Sequence, residues 1–192
     1  MNTEKLSTKQ LILASGSPRR QSFLKELGLN FKVELNEVEE TYPKQLKKEA
    51  ITNYLALKKA QVFTNLKNND LLITADTIVW FKNKALGKPE NIEQAREMLE
   101  KLSNHKHLVI TSVCLKSTQK EQVFSCTTEV YFDKLSKECI DYYLKNYKPL
   151  DKAGAYGIQE WIGYVGVKKI KGSYFNVMGF PVHKFYKELM RF

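Results

Sequence analysis

Cysteine is scarce in this sequence of 192 residues, which contains only three Cys residues and no Cys-x-x-Cys pair. An odd number at wide spacing excludes a complete disulfide framework and gives no zinc-ligand pairs. We therefore expect Cys114, Cys126 and Cys139 to be buried free thiols, as in proteins of a reducing compartment.

Long apolar runs are also missing. No stretch of the sequence approaches the roughly 18 consecutive apolar residues of a membrane-spanning helix. The first ten residues, MNTEKLSTKQ, contain no apolar core of the kind found in a signal peptide. These two absences predict a cytoplasmic protein that does not associate with a membrane.

Several familiar catalytic signatures are absent. The sequence contains no GxxxxGK[ST], no GxGxxG and no GxSxG, so P-loop hydrolysis, a dinucleotide cofactor and a serine nucleophile have no direct support. His105 and His107 have no acidic residue at ligand spacing, and His183 is remote from both. We expect structural or surface roles for all three histidines.

Acidic residues are few relative to basic ones, with 21 Asp and Glu against 31 Lys and Arg, for a net charge of +10. Such an excess can serve solubility, nucleic-acid binding or attraction of a small polyanion. Nucleic-acid binding surfaces combine a dense basic stripe with stacking aromatics, whereas the lysine runs here are short and scattered. We expect most lysines to be solvated and no stable nucleic-acid binding.

What the sequence does have is a hydrophobic fraction of 43%, with 10 Phe and 10 Tyr, which predicts a folded core. Apolar periodicity alternates between strand-like and helix-like segments. The patterns predict strands at 11–15, 31–35, 71–75 with a continuation to 81, 107–116 and 122–132, helices at 18–27, 46–66, 91–103 and 136–147, a hairpin at 161–171 and a C-terminal helix. The connections are too varied for a doubly wound sheet, so we predict one α/β domain over residues 1–192, with a mixed central β-sheet flanked by helices.

The segment "SGSPRR" lies between the first predicted strand and the first helix. Ser17 and Pro18 suit the N-cap and the first position of that helix. Arg19 and Arg20 then add two cations to a helix start that is already partly positive. Either an anion binds in this turn, as in a phosphate cradle, or both arginines face water, and these residues alone favour neither reading.

Other candidate residues also have two readings each. Asp76 follows an apolar strand, where a carboxylate suits a divalent ion, a general base or simply a turn. Glu40 is a second possible metal ligand or part of a solvated acidic loop, and Lys88 suits phosphate or plain solvent. Lys58 and Lys59 are adjacent on a predicted helix and point in neighbouring directions, so at least one should leave the solvent face.

Five segments, "LASGSPRR", "ADTIV", "GKPENIEQAREML", "DKAGAYGIQ" and "GSYFNVMGFP", occur in an order and spacing that resemble the Maf-like nucleoside triphosphate pyrophosphatases. The match extends over about residues 11–190. It implies hydrolysis between the α- and β-phosphates with a divalent cation, Mg²⁺, Mn²⁺ or Co²⁺. It also implies a homodimer and two lobes around a central cleft, related in shape to the inosine triphosphate pyrophosphatases.

The same resemblance implies roles for individual residues. Phosphate binding falls to Ser15, Ser17 and Arg20, and metal binding to Glu40 and Asp76. Asp76 is the implied general base, and Arg20, Lys59 and Lys88 are the implied catalytic cations. Nucleotide choice falls to Arg19, Thr77 and Gln159, which resemble the branch that acts on dTTP and UTP.

The implied substrates agree with amide chemistry. A glutamine offers a donor and an acceptor to the N3–H and carbonyl groups of thymine or uracil, whereas a glutamate, typical of the 7-methyl-GTP branch, suits the donor edge of guanine. Three residues depart from the usual pattern: Asn104 and Glu160 replace Gly, and Phe180 replaces Leu. A carboxylate at Glu160, beside the implied base pocket, would alter base preference.

Three alternatives stay open at this point: a 7-methyl-GTP-type or broader specificity, a nucleic-acid-binding module, and a regulatory protein linked to septum formation. Each would give a different result when base preference, salt-dependent binding or the effect of losing Asp76 is measured.

Overall fold

A computed structural model describes residues 8–192 of the chain, and residues 1–7 of the N-terminal segment MNTEKLSTKQ lie outside the described residues. The elements follow in this order: β1 Gln10–Leu13, α1 Pro18–Glu26, β2 Phe31–Val33, α2 Glu49–Gln61, β3 Asp70–Phe81, β4 Lys84–Leu86, α3 Ile92–Leu102, β5 Lys106–Lys116, β6 Glu121–Phe132, α4 Lys137–Tyr147, a 3₁₀ helix Ala153–Ala155, α5 Trp161–Gly166, β7 Val167–Lys171, α6 Tyr174–Val177 and α7 Val182–Arg191.

The strands form one mixed sheet in the order β2-β1-β3-β5-β6-β7, and β4 pairs with β3 outside this path. β1 is parallel to both β2 and β3, with Leu11 opposite Leu71. β4 is antiparallel to β3, and β7 is antiparallel to β6. The predicted mixed α/β class is confirmed. The continuous apolar run of β1 is explained by its buried position between two parallel neighbours.

The chain divides into two compact units. Unit 1 contains the residues up to Asp76 together with Thr111–Cys126 and Gly179–Phe192, and unit 2 contains Thr77–Ile110 and Thr127–Met178. The chain passes between the units within β3, β5 and β6, and once more between Met178 and Gly179. The resemblance implies two lobes, and the division agrees with that number; the prediction of a single domain over 1–192 stays a prediction.

Unit 1 has a core in which α2 packs on the buried strands. Its members are Ile12, Ala56, Ala60, Phe63, Leu72 and Cys114. Small alanines on α2 allow the helix to approach the sheet closely. The helix predicted at 46–66 corresponds to α2, which is shorter at both ends. Lys48, just before α2, has a positive φ of 50°. The helix therefore cannot extend to residue 46, since an α-helix requires negative φ.

Unit 2 has an apolar cluster to which α3 and α4 contribute Leu99, Leu102 and Leu144. The side chains of Asn91 and Ser136 cap these two helices by accepting hydrogen bonds from backbone N–H groups.

His107 is buried in unit 2, with its Nε2 2.8 Å from the Tyr156 hydroxyl. Burial lowers the pKa of His107 to about 3, so the ring stays neutral.

His107 is a core residue while His105 and His183 are exposed, positions that agree with the structural or surface roles expected for the histidines. The expectation for the cysteines is only partly right. All three are free thiols, but Cys114 alone is buried, and Cys126 and Cys139 are half-buried.

The hairpin predicted at 161–171 is wrong in its first half, which forms α5. Ile162 and Gly166, four positions apart, are the buried residues of this segment, and that spacing is helical. A Cβ at Gly163 would lie 1.8 Å from the carbonyl oxygen of Ile158, so only glycine permits this close approach. The second half, β7, finds its partner in β6.

Ser17 occupies the N-cap position of α1, as predicted, but its side chain makes no capping hydrogen bond. Its backbone N–H instead donates to Ser15 Oγ over 3.3 Å.

Two of the three departures from the usual family pattern have structural explanations. Asn104 has a φ of 58°, a conformation that asparagine tolerates better than most residues, and Phe180 is fully buried and stacks on Phe23.

The two ends of the strand order are the short β2 and the lysine-rich β7. Lys168, Lys169 and Lys171 of β7 are all exposed.

Within residues 8–192, no helix has both the length and the apolar character needed to cross a bilayer.

Candidate functional site

Lys59, in the last turn of α2, bridges two carboxylates of unit 1. Its Nζ lies 2.8 Å from Asp76 Oδ1 and 2.7 Å from Glu40 Oε1. The neighbouring Lys58 donates instead to the carbonyl and hydroxyl oxygens of Thr41. The prediction that at least one of these lysines leaves the solvent face is confirmed, because only 17% of the Lys59 side chain is exposed.

Asp76 is the most buried member of this group, with 7% of its side chain exposed. Lys59 contacts Oδ1, whereas Oδ2 is buried and has no hydrogen-bond partner. The residue lies within β3, so the interpretation of Asp76 as a turn residue is wrong. A buried carboxylate oxygen without a partner is costly unless a ligand or a reacting group uses it.

The donors at this position fit a divalent cation that arrives with phosphate oxygens. Asp76 and Glu40 supply hard oxygen ligands, and half of the Glu40 side chain is exposed. Among residues 8–192 there is no group of three or more His, Cys, Asp or Glu side chains suited to hold a metal ion. Mg²⁺ is commonly bound by one or two carboxylates together with substrate phosphates, which matches this small donor set.

Arg20 is directed into the protein. Its Nη1 donates to the carbonyl of Ala75 over 2.9 Å and to Ser15 Oγ over 3.3 Å, and its Nε donates to the carbonyl of Gly179 over 3.0 Å. The interpretation in which this arginine merely faces water is therefore wrong. Because Ala75 precedes Asp76 in β3, Arg20 also fixes the backbone that carries the predicted base.

The charges around Arg20 act in opposite directions. Burial lowers the pKa of its guanidinium, and the negative charge of Asp76 opposes this change. Arg19 lowers the pKa further, and Glu40 raises it. The structure thus brings two cations, two carboxylates and one hydroxyl of unit 1 into one polar group: Arg20, Lys59, Glu40, Asp76 and Ser15. Ser17 and Arg19, both half-buried, lie next to this group in α1 and its N-cap.

The remaining predicted residues belong to unit 2. Thr77 follows Asp76 in β3 and is half-buried, and Lys88 is exposed between β4 and α3. Gln159 is half-buried, its backbone carbonyl accepts from the Tyr164 hydroxyl over 3.0 Å, and its side-chain Oε1 is buried without a hydrogen-bond partner. An unpaired buried acceptor suits a ligand that brings an N–H donor.

Glu160 directs its carboxylate to partners inside the protein, and its expected effect on base preference stays a prediction. Its Oε2 accepts a short hydrogen bond from the Tyr143 hydroxyl, and its Oε1 lies 3.0 Å from Lys152 Nζ. Both carboxylate oxygens are therefore used inside the protein. Burial, reinforced by the hydrogen bond to Glu160, raises the pKa of Tyr143 strongly, so the phenol keeps its proton and acts as the donor.

Sequence reasoning assigned no role to Gly179, Lys152 or Tyr143. Gly179 and Lys152 lie in "GSYFNVMGFP" and "DKAGAYGIQ", so the motifs contained a signal, although it did not identify the partners. Tyr143 occupies an ordinary apolar position of α4, and its hydroxyl partners are distant in sequence.

A family model described as "Maf-like protein" matches residues 10–192. The chain belongs to this family. Among its Maf-like relatives, a dTTP/UTP pyrophosphatase of Flavobacterium psychrophilum is 54% identical over 99% of this chain and 98% of the relative. A dTTP/UTP pyrophosphatase of Phocaeicola vulgatus is 53% identical over 98% of each chain. These similarities confirm the resemblance on which the site assignments depend.

A HAM1 protein from Coxiella burnetii aligns with 96% of this chain and 100% of that chain, at 14% identity and a TM-score of 0.49. A similarity of this size does not establish a shared fold, so the relation in shape to inosine triphosphate pyrophosphatases stays a prediction.

Proposed function

We propose that this Maf-like protein hydrolyses dTTP and UTP to the nucleoside monophosphate and pyrophosphate, and so removes these nucleotides from the cellular pool. Relatives that match nearly the whole chain carry that name. The observation that carries the proposal is the buried, unpartnered Oδ2 of Asp76, whose other oxygen is held by Lys59. A general base needs such a fixed acceptor within reach of a water molecule.

In this mechanism, Asp76 Oδ2 takes a proton from a water molecule that attacks the α-phosphorus in line with the departing pyrophosphate. Lys59 fixes Asp76 Oδ1, and Arg20 fixes the preceding carbonyl, so both hold the base in place. Holding a reacting group in position removes an entropic part of the barrier.

Charge on the triphosphate is offset by three cations, Arg20, Lys59 and Lys88. The hydroxyls of Ser15 and Ser17, at the start of α1, donate to phosphate oxygens in this scheme. A helix N-terminus favours anions because its first N–H groups point outward. Cations in place before the reaction stabilise charge that develops in the transition state.

Glu40 and Asp76 are the residues that would hold a divalent cation. Bound there, Mg²⁺, Mn²⁺ or Co²⁺ would neutralise phosphate charge and favour pyrophosphate as the leaving group.

Base choice is assigned to Gln159 with Thr77 and Arg19. The unpaired Oε1 of Gln159 accepts from the N3–H of thymine or uracil, and the amide nitrogen donates to a neighbouring base carbonyl. A glutamine at this position favours dTTP and UTP over 7-methyl-GTP. The cytoplasmic location, the homodimer and the lack of stable nucleic-acid binding stay predictions from the sequence.

A nucleotide panel tests this function. dTTP, UTP, CTP, ATP, GTP and 7-methyl-GTP are each incubated with Mg²⁺, Mn²⁺ or Co²⁺, and pyrophosphate and monophosphate are measured separately. We expect dTTP and UTP to give equal amounts of both products and to be the preferred substrates. Release of orthophosphate alone would contradict the reaction, and preference for 7-methyl-GTP would contradict the assigned base.

A further inference from the structure

One phenol oxygen connects both ends of the segment that carries Gln159. The Tyr143 hydroxyl accepts from the backbone N–H of Gly157 over 3.0 Å and donates to the side chain of Glu160. The backbone N–H of Glu160 also donates to the carbonyl of Gly157 over 3.0 Å. The turn 157–160 is therefore closed by its own backbone and, independently, through Tyr143.

A lysine secures the other side of the same carboxylate. Lys152 Nζ lies 3.0 Å from Glu160 Oε1, and the exposed fractions of these side chains are 10% and 19%. A Cβ at Gly157 would lie 2.7 Å from Glu160 Cδ, so the glycine makes room for the carboxylate. The carbonyl of Glu160 also accepts from the N–H of Gly163 over 2.8 Å, which joins the turn to α5.

These contacts restrict the backbone on both sides of Gln159, whose Oε1 is buried and unpaired. The fixed backbone presents the amide of Gln159 from one position, and a buried acceptor discriminates strongly between a ligand that offers a donor and one that does not, because the wrong ligand leaves it unsatisfied. Thymine and uracil carry a hydrogen on N3. Cytosine carries a lone pair there, which would face the amide oxygen.

We propose that Tyr143 and Glu160 are positioning residues for base selection: their hydrogen bond, secured by Lys152, holds Gln159 Oε1 so that the site accepts pyrimidine triphosphates with an N3–H and rejects CTP. This inference rests on the proposed function, and it goes further by naming the rejected substrate and the residues that enforce the rejection. Tyr143 and Glu160 act through Gln159 and do not themselves touch the base.

The test measures kcat and KM for dTTP, UTP and CTP in Tyr143→Phe. The variant keeps the ring and removes the bridging hydroxyl, and we expect the dTTP-to-CTP ratio of kcat/KM to fall on the order of 10-fold, mainly through KM for dTTP. Tyr147→Phe is the matched control, because this tyrosine stacks on Tyr143 in the same helix and is partly exposed. The control should keep the parental ratio.

Two variants at Glu160 repeat the test without altering the core ring. Glu160→Gln retains an oxygen that accepts from Tyr143 and should keep most of the discrimination, whereas Glu160→Ala should lose it. Equal loss in both variants, or in neither, would overturn the proposal. If Tyr143→Phe does not fold, this pair decides the question.

A final experiment tests whether the effect of Tyr143→Phe on the dTTP-to-CTP ratio depends on Gln159. In a Gln159→Ala background, Tyr143→Phe should no longer change the dTTP-to-CTP ratio, because the amide that it positions is gone. A change that persists there, or an unchanged ratio in an active Tyr143→Phe enzyme, overturns this inference alone. A parent enzyme that cleaves neither dTTP nor UTP overturns the proposed function and this inference with it.

Discussion

Two lysines of this protein each contact two carboxylates, yet their surroundings differ. In unit 1, Lys59 bridges Glu40 and Asp76, and one oxygen of Asp76 stays buried without a partner. In unit 2, Lys152 bridges Asp151 and Glu160, and both oxygens of Glu160 have partners.

The difference separates a reactive arrangement from a supporting one. Around Lys59, one buried carboxylate oxygen has no hydrogen-bond partner in the protein, and the other carboxylate is half exposed. Around Lys152, the contacts fix the backbone of a turn, and no oxygen of Glu160 is left over. A count of salt bridges would rate the two lysines equally, whereas the unsatisfied atom distinguishes them.

The largest expected effect is at the unpartnered oxygen. Asp76→Asn keeps the shape of the side chain and removes its basicity, so turnover of dTTP should fall on the order of 10²- to 10⁴-fold. Pyrophosphate release and a thermal melt measure activity and folding. The exposed Asp133→Asn is the matched control, and parental turnover in Asp76→Asn would show that Asp76 is not the base.

Exchanging each lysine for methionine tests the comparison directly. Lys59→Met should lower turnover on the order of 10²-fold, because a cation near the reacting phosphates is lost. Asp76 is more buried than Glu160 and loses the cation on its Oδ1, so the Tm should fall as well, although the positive charge of Arg20 offsets part of this loss.

In Lys152→Met the mostly buried carboxylate of Glu160 loses its cation but keeps the hydrogen bond from Tyr143, so we expect a cost of about 2 kcal/mol. We expect the Tm to fall by roughly 4 to 8 °C, with a smaller loss of turnover than in Lys59→Met. Calorimetry and steady-state kinetics on both variants measure the two effects. The comparison fails if both variants lose activity and stability in equal proportion.

A smaller effect is expected from Gln159→Glu. The change keeps an oxygen that accepts from N3–H but replaces the amide nitrogen, which donates to a base carbonyl, by a second acceptor, and this mismatch should lower kcat/KM for dTTP and UTP by roughly 5- to 100-fold relative to guanine nucleotides. The exposed Gln119→Glu introduces the same charge elsewhere and serves as the control. A variant that cleaves dTTP and UTP as well as the parent would remove Gln159 from base selection.

The smallest expected effect is at Arg19. Arg19→Ala should change the preference between nucleotides by roughly 10-fold or less while retaining turnover on the favoured one. Arg20→Ala, which removes the contacts to Ala75 and Gly179, should instead lower turnover on every substrate. Identical substrate profiles in the two variants would contradict the division of roles between the adjacent arginines.

Much of the fold was predictable because the apolar patterns were unambiguous. The strands near 11–15, 71–81, 107–116 and 122–132 and the helices α1, α3 and α4 lie close to their predicted positions. The hairpin prediction was wrong at α5, where Ile162 and Gly166 have helical spacing within a segment whose glycines suggest turns. Local pattern could not reveal that Gly163 packs against the Ile158 carbonyl.

The candidate site was predictable from the resemblance to the Maf-like family, whereas residue type and position alone left the role of Asp76 open. Asp76 and Lys59 meet as expected, and only the structure shows which oxygen Lys59 leaves unpaired. Arg20 and Glu160 were harder, since each finds partners far away in the sequence, at Gly179 and Tyr143. Their roles depend on tertiary contacts that no local motif encodes.

The lysines of β7 also bear on how copies of this protein can associate. A sheet edge with exposed backbone groups invites another strand, and closely spaced positive charges oppose the approach of an identical edge. Lys168, Lys169 and Lys171 would bring six positive charges together if two copies joined through β7. Pairing of two copies through β7 is therefore disfavoured, and the sheet is not expected to extend through this edge into a second molecule.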